Sequence, residues 1–161
     1  MRTIISSLHF LTLIICLSCE TKKEINKIKG LEPLITLKNE VFKLEELKGN
    51  IVIVNLWATW CKPCIAEFKS LEKSKEIFKN KNIKIIAISN ESLEKISGFL
   101  SKRSINLDFI KLNGDLTYFN AYSLPTTIIL NKEGNESFRI TNSINFTSKD
   151  FTNKILELEA L

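Results

Sequence analysis

The run Ile51-Val52-Ile53-Val54-Asn55-Leu56 leads into Trp57-Ala58-Thr59-Trp60-Cys61-Lys62-Pro63-Cys64, and beyond it a helical period continues to about Phe78. A short, nearly continuous apolar run reads as a strand buried on both faces. In the helix-like stretch, Cys64, Phe68, Leu71 and Phe78 fall within about 80° of arc at ~100° per residue. Lys75 projects into the same arc, which snorkelling alone accounts for. A strand that feeds a helix through two cysteines restricts both the fold and the chemistry. A thiol at a helix N-terminus faces unpaired backbone N–H groups and the positive end of the helix dipole, so its thiolate is favoured. The second thiol, in the first helical turn, is within disulfide reach. Such a pair trades two electrons and two protons with another protein's disulfide or dithiol.

The chain has 161 residues, the size of a single domain with enough apolar content to bury a core. Its 23 Lys and Arg against 18 Asp and Glu are spread along the sequence, with no aromatic-interleaved basic stripe, so no nucleic-acid partner is expected. The single histidine, His9, lies in an apolar N-terminal segment. If that segment is removed, no Cys–His catalytic pair and no histidine-containing metal site can form. Cys16 is lost with it, and the cysteines that remain are too few for a four-thiolate zinc site. No metal and no cofactor is expected beyond the cysteine pair itself.

Met1-Arg2 followed by the mostly apolar Ile4 to Leu17 has the form of a secretory signal, shorter than the ~20 residues of a membrane span. Leu17-Ser18-Cys19 resembles the lipobox of bacterial lipoproteins, in which the cysteine becomes the lipid-modified first residue, although Cys16 stands where that motif usually has leucine. The expected organisation is a signal peptide over 1–18, a lipid-anchored tether over 19–32 and one domain over 33–161. The alternatives are simple secretion, with Cys19 an ordinary residue, and retention of the segment as an uncleaved anchor. All three export the domain. Outside the cytoplasm a dithiol reductant must be continually re-reduced, which calls for a partner that carries electrons across the membrane.

From Leu34 onward, strand and helix patterns alternate. Leu34 to Leu37 and Val41 to Leu44 flank Lys38-Asn39-Glu40 as an N-terminal hairpin. Ile83 to Ser89 reads as a second buried strand, and Asn90-Glu91-Ser92 caps a helix running to about Leu100. Leu107 to Leu112 is a short strand and Asp115 to Ala121 a short helical turn. Thr126 to Leu130 and Ser137 to Ile140 pair across Asn131-Lys132-Glu133-Gly134-Asn135, and Phe146 to Leu158 is a closing amphipathic helix. The expected fold class is α/β: a central mixed sheet with helices on both faces, an N-terminal hairpin and an added central α-β segment.

Three separated features coincide: the Trp57 to Cys64 motif after a buried strand, Leu124-Pro125-Thr126-Thr127 before another, and the Asn131-Lys132-Glu133-Gly134 turn. Together they resemble the thioredoxin superfamily, specifically its membrane-tethered TlpA/ResA-like thiol–disulfide oxidoreductases, over about Leu34 to Leu158. The resemblance implies a thioredoxin-like fold and a cis Leu124–Pro125 bond that brings the Leu124 backbone beside the sulfurs, where it pairs with an extended substrate chain. The alternative is a trans proline opening a strand. Thioredoxin itself carries a buried aspartate at the place of Asn55, and asparagine cannot shuttle protons. Glu67, one turn past Cys64, matches the acidic residue with which ResA-like proteins tune their thiols. Half-burial there would raise its pKa and let it accept the Cys64 proton, unless it is only a solvated glutamate on a charged helix.

Cys61 is then expected to be the nucleophile and Cys64 the resolving thiol. Lys62 adds a screened positive charge, and Pro63 fixes the first helical turn without wasting a donor. Trp57 is expected to pack beneath the motif, and Trp60 to form an apolar rim for a partner unless it too is core. The resemblance implies an exported, membrane-anchored, monomeric reductase of protein disulfides, fed by a transmembrane thiol donor and similar to proteins of cytochrome c maturation. Two other activities compete. One is an oxidant that donates its disulfide, although the Lys-Pro pair resembles the reductase group more. The other is a Cu(I)-binding module, which in this fold usually adds a distal histidine, and none survives removal of the N-terminal segment. Peroxide reduction is disfavoured, because the Pro-x-x-x-Thr-x-x-Cys pattern is missing.

Overall fold

The computed structural model describes residues 33–161. The expected signal peptide, Cys19, the tether and His9 lie outside the described residues. The described chain forms β1 (Leu34–Thr36), β2 (Ile51–Leu56), α1 (Lys62–Ile77), β3 (Ile83–Ser89), α2 (Leu93–Leu100), β4 (Asp108–Leu112), β5 (Thr126–Leu130), β6 (Glu136–Ile140) and α3 (Lys149–Ala160). Short 3-10 turns occur at Leu44–Leu47 and Leu116–Phe119.

Among the described residues the strands make one mixed sheet in the order β1-β4-β3-β2-β5-β6. β2 is its centre, with all of its residues buried, parallel to β3 from Ile51↔Ile83 to Leu56↔Ile88 and antiparallel to β5 from Val52↔Leu130 to Leu56↔Thr126. This double pairing is why β2 reads as a continuous apolar run. The ladder continues past its end, where the Trp57 N–H donates to the Ile88 carbonyl at 3.0 Å.

Alternation along the strands divides the core in two. Ile51, Ile53, Ile85, Ala87, Phe109 and Ile129 face Cys64, Phe68 and Leu71 of α1, Ile96 and Phe99 of α2, and Phe151 and Ile155 of α3. Val52, Val54, Ile86, Ile88, Ile110 and Ile128 point to the other face, where Phe42, Leu44, Leu47, Leu116 and Phe119 cover them. Among the described residues all three α-helices therefore lie on one face and the second face carries 3-10 turns, which corrects the expectation of helices on both faces. The topology explains it. The crossovers β2-α1-β3 and β3-α2-β4 step the same way across the sheet, and right-handed crossovers then deposit both helices on the same side.

The N-terminal hairpin is a turn, closed by Thr36 N–H to the Glu40 carbonyl at 2.8 Å, with a one-residue bridge Ile35↔Val41. The second arm is tied back by Phe42 N–H to the Leu34 carbonyl at 2.9 Å but is too short to be a strand, while the other edge of β1 pairs with β4 in the register Leu34↔Leu112 to Thr36↔Ile110. Lys75 finds its reason here, as its ammonium donates to the Asn106 carbonyl at 2.8 Å and ties α1 to the approach to β4. Ser92 caps α2 by accepting from Lys95 N–H at 3.3 Å. α3 starts later than Phe146 because the Asn145 side chain accepts from Thr147 N–H at 3.0 Å, holding a turn ahead of the helix.

Candidate active site

The chain leaves β2 and reverses through Ala58-Thr59-Trp60-Cys61, closed by Cys61 N–H to the Ala58 carbonyl at 3.0 Å. Cys61 is the N-cap of α1, in extended conformation (φ −80, ψ 90), and Pro63 occupies the first turn, where a missing N–H costs nothing. Cys61 and Cys64 are joined as a disulfide with their Cα atoms 5.3 Å apart. The Cys64 N–H points at the Cys61 sulfur, 3.3 Å away. That donor remains when the bond opens, so a thiolate on Cys61 would inherit a backbone hydrogen bond at the positive end of a helix. Cys61 is 3% exposed and Cys64 fully enclosed, so the face of the disulfide that an incoming sulfur can reach belongs to Cys61.

Glu67 is buried on α1, one turn past Cys64. Its Oε1 accepts from Asn55 Nδ2 at 2.8 Å, and its Oε2 from Ser143 Oγ at 2.9 Å and Ile144 N–H at 3.2 Å. Asn55 Nδ2 also donates to Thr127 Oγ1 at 3.2 Å, so the carboxyl is held by β2, β5 and the β6–α3 loop together. Burial pushes the Glu67 carboxyl above its ordinary value, opposed by the hydrogen bonds from Asn55, Ser143 and Ile144. A groove of about 390 Å³ bordered by Glu67, Ser70, Ser143 and Asn145 lies beside it and gives a proton a way to solvent.

The Leu124–Pro125 peptide is cis. The pairing Leu56↔Thr126 carries Pro125 to the end of β2 from which the chain runs to Cys61, so the proline and the disulfide occupy one end of the sheet. Leu124 is half-buried and Pro125 buried. Trp57 is wholly enclosed, with ring centroids 5.2 Å from Phe68, 5.2 Å from Phe99 and 5.3 Å from Phe109. Trp60 is 70% exposed and stands as a rim, and Lys62 and Pro63 are exposed next to it.

Four groups escaped the sequence reading as parts of the site. Tyr122, 84% exposed, sits on the loop that leads to Pro125. Arg139 of β6 steadies that loop, donating to the Asn120 and Phe119 carbonyls at 2.9 and 3.2 Å while paired with Glu136. Ser143 and Ile144 reach Glu67 from far along the chain, and Glu91 contacts Thr59 from the β3–α2 loop. Only the turn residues around Tyr122 carried a local sign, since long-range side-chain pairs leave none in a single sequence.

A central mixed sheet, a disulfide at the N-terminus of the first long helix and a cis-proline opening the neighbouring strand define a thioredoxin-like protein. The chain belongs to the AhpC/TSA family, whose profile matches residues 26–135. Thiol-disulfide oxidoreductase ResA of Bacillus subtilis is 34% identical over 96 residues, which span 57% of this chain and 53% of that protein. The chain thus covers about half the length of this relative. Thioredoxin-like protein YneN of Bacillus subtilis is 32% identical over 126 residues, 71% of this chain and 72% of that one. Among solved structures, the thioredoxin-related protein from Neisseria meningitidis serogroup B superposes with a TM-score of 0.66 at 28% identity, covering 77% of this chain and 98% of that one.

Proposed function

We propose that the protein is an exported thiol–disulfide oxidoreductase that reduces disulfides in other proteins. The observation that carries this reading is the Cys61–Cys64 disulfide at the helix N-cap, with the Cys64 N–H aimed at the more accessible sulfur. In the reduced protein, Cys61 thiolate attacks one sulfur of a target disulfide. A mixed disulfide forms and the target's other sulfur leaves as thiolate. Cys64, giving up its proton, attacks the Cys61 sulfur, which releases the reduced target and regenerates the internal disulfide. Glu67, raised by burial, accepts the Cys64 proton and passes it to the groove beside Ser143. Trp60, Lys62 and Pro63 on one side, with Leu124 and Pro125 on the other, form the cleft that takes an extended substrate segment.

The N-terminal sequence supports export with a lipid on Cys19, a membrane location, and re-reduction by a transmembrane thiol donor. The likeness to ResA supports a place in cytochrome c maturation, and the protein acts as a monomer without metal or cofactor. The testing experiment equilibrates the Cys61–Cys64 pair with redox buffers. A potential near or below roughly −250 mV fits a reductant, whereas one near −120 mV makes the protein an oxidant and overturns the reading. The sulfur roles are tested by trapping: Cys64→Ser should accumulate a mixed disulfide with its target, and adducts on Cys61→Ser alone would reverse them.

A further inference from the structure

The turn that raises Trp60 into solvent and delivers Cys61 to its helix is gripped from outside by a carboxylate that no step above uses. Glu91 accepts from the Thr59 N–H through Oε2 at 2.5 Å and from the Thr59 hydroxyl through Oε1 at 2.9 Å. Both residues are half-buried. Glu91 is itself anchored: its N–H donates to Ser89 Oγ at 3.2 Å, and Ser89 is the fully enclosed last residue of β3. A continuous path therefore runs from the sheet, through Glu91, to the apex of the redox turn. Within that turn the backbone closes through the bond from Cys61 N–H to the Ala58 carbonyl. Water could satisfy Thr59 equally well, so what the grip adds is orientation. A two-point, charge-assisted contact fixes direction as well as position. Small displacements of a reacting atom are costly in rate.

We propose that Glu91 is a positioning residue for disulfide exchange, pinning the Ala58 to Cys61 turn so that Trp60 and the Cys61 sulfur meet a protein disulfide in one geometry. This rests on the reductase reading above. Cys61 and Cys64 do the chemistry and Trp60 meets the partner, while Glu91 touches none of the reacting atoms.

The test uses the pre-reduced protein in single-turnover reactions with insulin and with oxidised glutathione, for wild type, Glu91→Ala, Glu91→Gln and Thr59→Val. Glutamine can keep both contacts, its carbonyl accepting from the Thr59 N–H and its amide donating to the hydroxyl. Glu91→Ala should lose about tenfold in rate toward insulin and clearly less toward glutathione, which does not need the Trp60 rim. Glu91→Gln should stay within about twofold of wild type, and Thr59→Val should fall between the two. A folded Glu91→Ala protein that reduces insulin at the wild-type rate overturns the proposal. So does a glutamine variant as slow as the alanine one, since charge and not grip would then be at work. If Glu91→Ala does not fold, Thr59→Val decides: a wild-type rate toward insulin overturns the proposal, and a selective loss supports it. Failure of the reductase reading is separable, because the wild type would then reduce neither disulfide. The pin would still be read by amide hydrogen exchange at Thr59, slow in wild type and Glu91→Gln and at least about tenfold faster in Glu91→Ala.

Discussion

Replacing Glu67 with glutamine should flatten one part of the protein's stability against pH. The carboxyl is 3% exposed, and its pKa lies above the ordinary 4.5 because burial disfavours the charged form. Its hydrogen bonds to Asn55, Ser143 and Ile144, at 2.8, 2.9 and 3.2 Å, pull the other way and lose. A carboxyl raised in the folded state binds its proton more tightly there than in the unfolded chain. Its contribution is complete below about pH 4.5 and is lost as pH rises through the folded pKa. Each unit of that rise is worth about 1.4 kcal/mol. Glutamine keeps the shape, and its carbonyl can still accept from Ser143 and Ile144. Its amide can face Asn55 Oδ1, which is buried and has no partner, once the Asn55 amide turns over. The assay is urea unfolding of the oxidised protein at half-unit steps from about pH 4 to 8, for wild type and Glu67→Gln. Stability of wild type minus variant should fall with a slope near 1.4 kcal/mol per pH unit above 4.5 and then level off. Subtraction removes the titration of other groups. A difference that is flat across the range, or that grows with pH, refutes the argument that desolvation outweighs the three hydrogen bonds.

Trp57→Ala should cost about 3–5 kcal/mol in urea unfolding, since the ring is enclosed by Phe68, Phe99 and Phe109. Trp57→Phe should cost far less, because the indole N–H is buried without a partner and its removal returns roughly 1–3 kcal/mol. Arg139→Ala should change stability by no more than about 1 kcal/mol yet raise KM for insulin, as the loop before Pro125 loses its two carbonyl contacts. Gly134→Ala should lower the unfolding free energy by about 1 kcal/mol, since φ is +85 and a Cβ would meet Lys48 Cε at 3.4 Å.

Elements whose burial is written locally were the legible ones. β2 and β3 announce themselves as apolar runs because each is paired on both edges, and α1 does so because Cys64, Phe68 and Leu71 repeat at helical spacing. The β5–β6 hairpin is marked by Asn131 and Gly134, whose turn closes with Gly134 N–H to the Asn131 carbonyl at 2.9 Å. What could not be read depended on sheet order. β1 joins the sheet through β4 and not through β2, the next strand in the chain, and the side each helix occupies follows from which way its crossover steps. The site divides the same way. Cys61, Cys64, Pro63 and Trp60 are adjacent in sequence, and Glu67 follows by one helical turn. The partners that complete the buried carboxyl, Ser143 and Ile144, and the one that grips Thr59, Glu91, arrive through tertiary folding alone.

The two sulfurs are mounted on unlike supports. Cys64 rides the buried face of α1 with Phe68 and Leu71 behind it, as a fixed jaw set into the core. Cys61 is the N-cap, its carbonyl accepting from the Ile65 N–H at 3.1 Å, and it hangs from the four-residue reversal ahead of the helix. The two sulfurs thus hang from separate frames, one from the helix layer and the other from a reversal that Glu91 ties back to β3, so damage to either frame misaligns the pair without touching a sulfur.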